Sequence, residues 1–308
     1  MGDTILYRKG YNMENRGYVI VTDSTTDMGM DYFRENEISV LRLHYTIDGE
    51  EYIQYTEGAL TIKEFYDRVR KGSMPKTSQA SYDDAFTIFS SFAEAGKDIF
   101  CLCFSSALSG SYQTVNMAAQ DITEKYPDCK IRVVDSISAC GGEGYLLDKC
   151  VKKRDCGASL DEVADYAEEL KFKVLHLFTV DDLNHLHRGG RLSKMSAIVG
   201  GMLGIKPVLY FNNKGQLLPY TKIRGRRQSL DALADQMKKK YIQGENEEIF
   251  IFDADARADA EYLGGVIKKL MPDVKKIRYG NVGEVIGTHA GPNTIALFFI
   301  GTDREPIL

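Results

Sequence analysis

The sequence predicts an α/β protein of two domains: an N-terminal parallel-sheet α/β/α sandwich over 17–174 and a C-terminal α/β domain with a mixed or antiparallel sheet over 175–308. Three observations predict it. Apolar runs at 18–21, 99–103 and 131–134 alternate with stretches of helical spacing, the rhythm of βαβ units. Each of those runs ends in a turn rich in Ser, Thr and Asp, as the binding edge of an open parallel sheet would. Beyond residue 173 the texture changes, because Asn212-Asn213-Lys214-Gly215 is a hairpin signal between two strand-like runs.

Residues 1–16 are polar and carry no apolar signal segment, so they read as a flexible leader. The first strand, 18–21, runs into Thr22-Asp23-Ser24-Thr25-Thr26-Asp27. A short helix at 31–37 follows, then a strand over 38–47 and a helix over 61–71. The loop Pro75-Lys76-Thr77-Ser78-Gln79-Ala80-Ser81 precedes a helix over 82–95. The strand 99–103 leads through Phe104-Ser105-Ser106-Ala107-Leu108-Ser109-Gly110-Ser111 into the next helix. Such a turn aims backbone N–H groups and the positive end of a helix at one spot, which suits an anion; it also reads as an ordinary Ser/Thr cap. The strand 131–134 ends in Asp135-Ser136-Ile137-Ser138, and helices are expected at 141–153 and 160–172, the second with Ser159 and Glu162 as a capping box. In the second half, strands are expected at 174–180, 205–211, 217–223, 248–252, 277–279 and 295–300, and helices at 181–187, 194–203, 228–241 and 256–270.

Composition narrows the function. With 44% hydrophobic and 27% charged residues the chain folds, and a net charge of −5 argues against nonspecific nucleic-acid binding. The six cysteines form no C-x-x-C, so free buried thiols in a reducing, cytoplasmic setting are expected. The five histidines do not cluster with cysteine at ligand spacing, so no metal is expected. The apolar run 195–205 is too short to cross a bilayer. Neither G-x-x-x-x-G-K-[ST] nor G-x-G-x-x-G is present, which leaves a nucleotide site unsupported.

The candidate site residues are hydroxyls and one imidazole. Thr77 and Ser109, with Ser78 and Ser111 as an outer shell, could hold a carboxylate without a buried counter-charge; loop solubility and capping explain the same residues. His289, within Gly287-Thr288-His289-Ala290-Gly291-Pro292, is placed in a tight turn before the last strand. A Ser109–His289 pair would suit a lipid or acyl-phosphate hydrolase, with Asp23 or Asp135 to orient the ring, although the G-x-S-x-G elbow is missing because position 107 is Ala. Arg188-Gly189-Gly190-Arg191 reads either as a phosphate or partner contact or as part of a solvated basic face.

Seven motifs in order resemble the DegV family of fatty-acid-binding proteins, which includes a subunit of bacterial fatty acid kinase. They are Val21-Thr22-Asp23-Ser24-Thr25, Lys76-Thr77-Ser78-Gln79, Ser105-Ser106-Ala107-Leu108-Ser109-Gly110-Ser111-Tyr112, Val134-Asp135-Ser136, Arg188-Gly189-Gly190-Arg191, Ile205-Lys206-Pro207 and Ile286-Gly287-Thr288-His289-Ala290-Gly291-Pro292. The resemblance implies a long-chain fatty acid buried in an apolar tunnel, with its carboxylate held by Thr77 and Ser109 and close to His289. It also implies no catalysis by this chain and no cofactor beyond the lipid. The partners it implies are a separate ATP-dependent fatty acid kinase subunit that phosphorylates the carboxylate and a transient membrane contact for lipid exchange. Two positions depart from the family pattern: Ala80 stands where proline usually follows the T-S-Q loop, and Asn293 where glycine often ends the histidine turn. Burial of an acyl chain of about 16 carbons, at roughly 0.8 kcal/mol per CH₂, gains on the order of 10 kcal/mol before ordering costs. The apolar tunnel therefore supplies affinity while hydroxyls orient the head, and the 195–205 segment reads as a tunnel wall or an ordinary core helix. An interaction protein with a purely structural lipid is a third reading.

Overall fold

The computed structural model describes residues 17–192 and 204–305. The expected leader, the expected helix at 194–203 and all but the last two residues of the expected tunnel wall at 195–205 lie outside the described residues.

Four apolar strands, β1 (Tyr18–Asp23), β2 (Ile38–Leu41), β6 (Asp98–Cys103) and β7 (Ile131–Asp135), form an all-parallel sheet in the order β2-β1-β6-β7. Parallel strands need crossovers, here supplied by helices α1 (Met30–Glu35), α2 (Ile62–Arg70), α3 (Tyr82–Glu94) and α4 (Ser111–Lys125). The strand order reverses between β1 and β6, so the crevice outside their carboxyl ends is a topological switch point.

The single strand expected over 38–47 is two strands. β2 ends at Leu41, and β3 (His44–Ile47) belongs to a separate antiparallel sheet with β4 (Glu50–Ile53) and the two-residue β5 (Lys76–Thr77). Asp48 (φ 54°) and Gly49 (φ 85°) make the β3–β4 turn, a pair of left-handed residues that closes a hairpin.

The second sheet begins with β8 (Val174–Thr179), which is followed by the short helix α7 (Asn184–Arg188). Its other strands are β9 (Ile205–Phe211), β10 (Leu217–Arg224), β11 (Glu248–Asp253), β12 (Lys276–Asn281) and β13 (Ile295–Ile300), in the mixed order β10-β9-β8-β13-β11-β12. Only β11 and β12 run parallel in it. Strand alternation divides its two faces. Leu175, Leu177, Ile249, Ile251, Leu297 and Phe299 pack under α8 (Arg226–Lys240) and α9 (Arg257–Leu270). Phe178, Phe250, Phe252, Ala296 and Phe298 point the other way, into a core continuous with that of the parallel sheet.

Between the sheets lies α5 (Gly141–Asp155), buried along both faces by residues such as Tyr145, Leu146, Leu147, Cys150 and Val151. Its neighbours are β8, β11 and β13 of one sheet and α6 (Leu160–Leu170), which covers β6 and β7 of the other. Ser159 and Glu162 form the expected capping box at α6. All six cysteines are free, and five are buried.

Candidate functional site

The three polar turns expected at strand ends do meet. β1 ends at Asp23, whose Oδ1 accepts from Thr25 N at 3.0 Å and whose Oδ2 accepts from Phe104 N at 2.9 Å. Asp135, closing β7, accepts from Ser106 N at 3.2 Å and Ile137 N at 2.9 Å. These carboxylates satisfy backbone donors and fix the turns, the ordinary use of Asp at such positions. Neither orients a histidine.

Thr77 arrives on β5, pinned beside Tyr45 of β3. His289 arrives in the last turn of α10 (Glu284–Ala290), not in the irregular turn expected from its glycines and proline; the helix stops at Gly291 (φ 79°). Thr77 Oγ1 and His289 Nε2 lie 2.9 Å apart. His289 Nδ1 is buried without a hydrogen-bond partner. Burial, and then the Arg191 guanidinium, push this imidazole down to about 4, so the ring is neutral near pH 7.

Ser109 does not meet His289 through a hydrogen bond. Its Oγ lies 2.9 Å from Ser111 Oγ and accepts from Ser111 N at 3.2 Å. Ser111 is fully buried and also accepts from Ala80 N at 3.0 Å, so it braces the loop and the turn and does not line the cavity. A Ser-His-acid triad needs a serine–imidazole contact and an acid on the second ring nitrogen. Both are lacking, and the hydrolase arrangement of Ser109 and His289 is therefore not formed.

A cavity of about 290 Å³ lies between the polar turns of the parallel sheet and the inner face of the mixed sheet. Thr77, Ser78, Gln79, Ser109, Arg191 and His289 supply its polar lining. Phe104, Leu108, Phe178, Phe211, Leu217 and Phe298 supply much of its apolar lining, with Val285 and Ile286 of α10. Its size is at the small end of the about 300–1,000 Å³ usual for ligand pockets. Arg191 reaches it with Nε donating to Leu108 O at 3.2 Å and Nη1 donating to Gly189 O. Arg188 is exposed outside it, with Nη2 3.3 Å from His185 Nδ1.

The sequence reading missed the aromatic lining and His176. This histidine lies on β8, fully buried, stacked on Phe211 at 4.4 Å, with Nε2 accepting from Ala139 N at 3.4 Å. Every residue of β8 is apolar or buried, so no alternation marks which side faces the cavity. Among the described residues no cluster of His, Cys, Asp or Glu could hold a metal ion, and no helix is long and apolar enough to cross a membrane.

A family model described as an uncharacterised protein of the DegV family matches residues 18–302. The chain belongs to the DegV family. A DegV domain-containing protein of Clostridium perfringens is 40% identical over 289 residues, covering 94% of this chain and 99% of the relative. Among solved structures, a Thermotoga maritima protein described as revealing a fatty acid binding function superposes with a TM-score of 0.80 at 27% identity, covering 93% of this chain and 100% of that one. A fatty acid binding DegV protein of Streptococcus agalactiae superposes with a TM-score of 0.81 at 27% identity, covering 94% and 100%. The architecture of this DegV protein is thus that of proteins described as binding fatty acids.

Proposed function

We propose that this DegV protein binds one long-chain fatty acid in the cavity between its sheets and presents the carboxylate to a separate ATP-dependent kinase, with no catalysis of its own. The observation that carries the reading is the gathering of Thr77, Ser109 and His289, distant in sequence, on the polar side of an otherwise largely apolar cavity. A neutral His289 that donates from Nε2 to Thr77 Oγ1 leaves the Thr77 hydroxyl hydrogen free. Likewise, a Ser111 that donates to Ser109 frees the Ser109 hydrogen. Two hydroxyl donors then face one carboxylate, and Arg191 supplies positive charge for the larger charge of an acyl phosphate. Arg188, exposed beyond the cavity, is available to a partner. The cytoplasm, where ATP and acyl chains meet, is the matching location.

Denaturing mass spectrometry of the purified protein is expected to release a fatty acid. Hydrogen bonds to a charged group are worth about 1.5–3 kcal/mol, so Thr77→Val and Ser109→Ala should each weaken fatty-acid binding about 10- to 100-fold. Undiminished binding in the double variant would overturn the site, and absence of any bound lipid the function. Transfer of phosphate from ATP to the bound lipid, when a fatty acid kinase subunit is added, tests the partner.

A further inference from the structure

Ser78 and Gln79 are exposed to solvent and yet line the inner cavity. On their outer side they line a second, open groove of about 490 Å³, with Tyr82, Thr114 and Met117. Residues 78 and 79 therefore border the cavity on one side and the open groove on the other. This strap is anchored at both ends. Thr77 is held in β5, and the Ser81 side chain caps α3 by accepting from Asp84 N at 3.2 Å. Its middle is fastened to the first turn of α4 by two further hydrogen bonds. Ala80 N donates to Ser111 Oγ at 3.0 Å, and Gln79 Nε2 donates to Thr114 Oγ1 at 2.8 Å. Gly110 allows the close approach, since a Cβ there would sit 2.2 Å from Gln79 Oε1. The first fastening exists because position 80 carries an N–H, which a proline would lack.

We propose that Ser111 and Thr114 are positioning residues that latch the strap at residues 78–80 over the carboxylate, and that the carboxylate is reached from solvent by unhooking that latch into the outer groove. This rests on the fatty-acid reading above. Loss of one net hydrogen bond shifts an opening equilibrium by roughly two- to tenfold. Thr114→Val removes the acceptor for Gln79 at nearly constant shape. Ala80→Pro removes the donor to Ser111 and leaves both serines in place.

The test loads wild-type and variant proteins with palmitate labelled with ¹³C at the carboxyl. It measures relaxation of the bound carboxyl signal by a water-soluble gadolinium chelate. Both variants are expected to raise that relaxation about threefold, and Thr114→Ser, which keeps the hydroxyl, to restore the wild-type value. Equal relaxation in wild type, Thr114→Val and Ala80→Pro overturns the latch. A missing bound carboxyl signal in the wild type overturns the fatty-acid reading instead. The latch is then judged on hydrogen exchange of the Ala80 amide in the lipid-free protein, where exchange unchanged by Thr114→Val refutes it.

Discussion

Thr25 stands between two carboxyl groups. Its hydroxyl donates to Asp23 Oδ1 and lies 3.0 Å from Glu143 Oε2, all three residues being fully or almost fully buried. One hydroxyl hydrogen serves one acceptor, so one of the two carboxyls carries a proton; Asp23 accepts two backbone N–H bonds that favour its anion, which leaves the proton to Glu143. Burial, then the Asp23 charge, raise Glu143 well above its ordinary 4.5. A raised folded value means that the native state holds a proton the unfolded chain gives up. Stability is therefore lost as pH climbs from about 4.5 through the folded value. Glu143→Gln copies the protonated form, with an amide to donate to Thr25. Urea unfolding at pH 5 and pH 8 should show the variant gaining on wild type at the higher pH. The departure from the family pattern at position 293 has a local cause as well. Asn293 sits at φ 62°, a conformation that glycine and asparagine share most readily. Its side chain accepts from Arg70 at 3.2 Å and donates to Asp181 at 2.8 Å, ties that a glycine could not make.

Among the elements, α5 carries the largest share of what the sequence left hidden. Its helical state was readable from residues 141–153, but its place between two sheets was not, because its buried residues include glycines and the charged Glu143, Asp148 and Arg154 beside the apolar ones, so no apolar stripe orients it. The glycines at its start were the available signal. A Cβ at Gly142 would lie 2.0 Å from His176 Nε2, and one at Gly144 2.7 Å from both Met28 Sδ and the Thr26 carbonyl oxygen. A backbone oxygen cannot swing aside as a side chain can. Gly144→Ala should therefore destabilise the protein by about 1–3 kcal/mol, read as a fall in the urea midpoint, despite alanine's better helix propensity. The strand ends, the T-S-Q loop and the hairpin at Asn212-Asn213-Lys214-Gly215 were legible because turn chemistry is local. The break between β2 and β3 was not, since residues 38–47 alternate as one strand would and only the sheet each part joins separates them. The pairing of His289 with Thr77 and of Ser109 with Ser111 was equally beyond reach, because it depends on how α10 and the strap meet in space.

Across the whole molecule, the two sheets share one core that runs from Phe100 and Leu102 through Tyr145 and Leu147 to Phe250 and Phe298. Arg304 fastens the same seam. It is almost fully buried, and it donates to Ile137 O at 2.6 Å, Asn212 O at 3.3 Å, Ser138 Oγ at 3.0 Å and Lys171 O. Burial draws its guanidinium down to about 9. Thermal unfolding followed by far-UV and near-UV circular dichroism should give one coincident transition. Arg304→Met, which strands four acceptors, should lower stability by about 3 kcal/mol in the same experiment.

The cavity lies in that shared seam, so whatever fills it is packed by both halves of the chain at once. A ligand that fills it and does not bind the unfolded chain should therefore slow proteolysis, so that a filled copy outlasts an empty one.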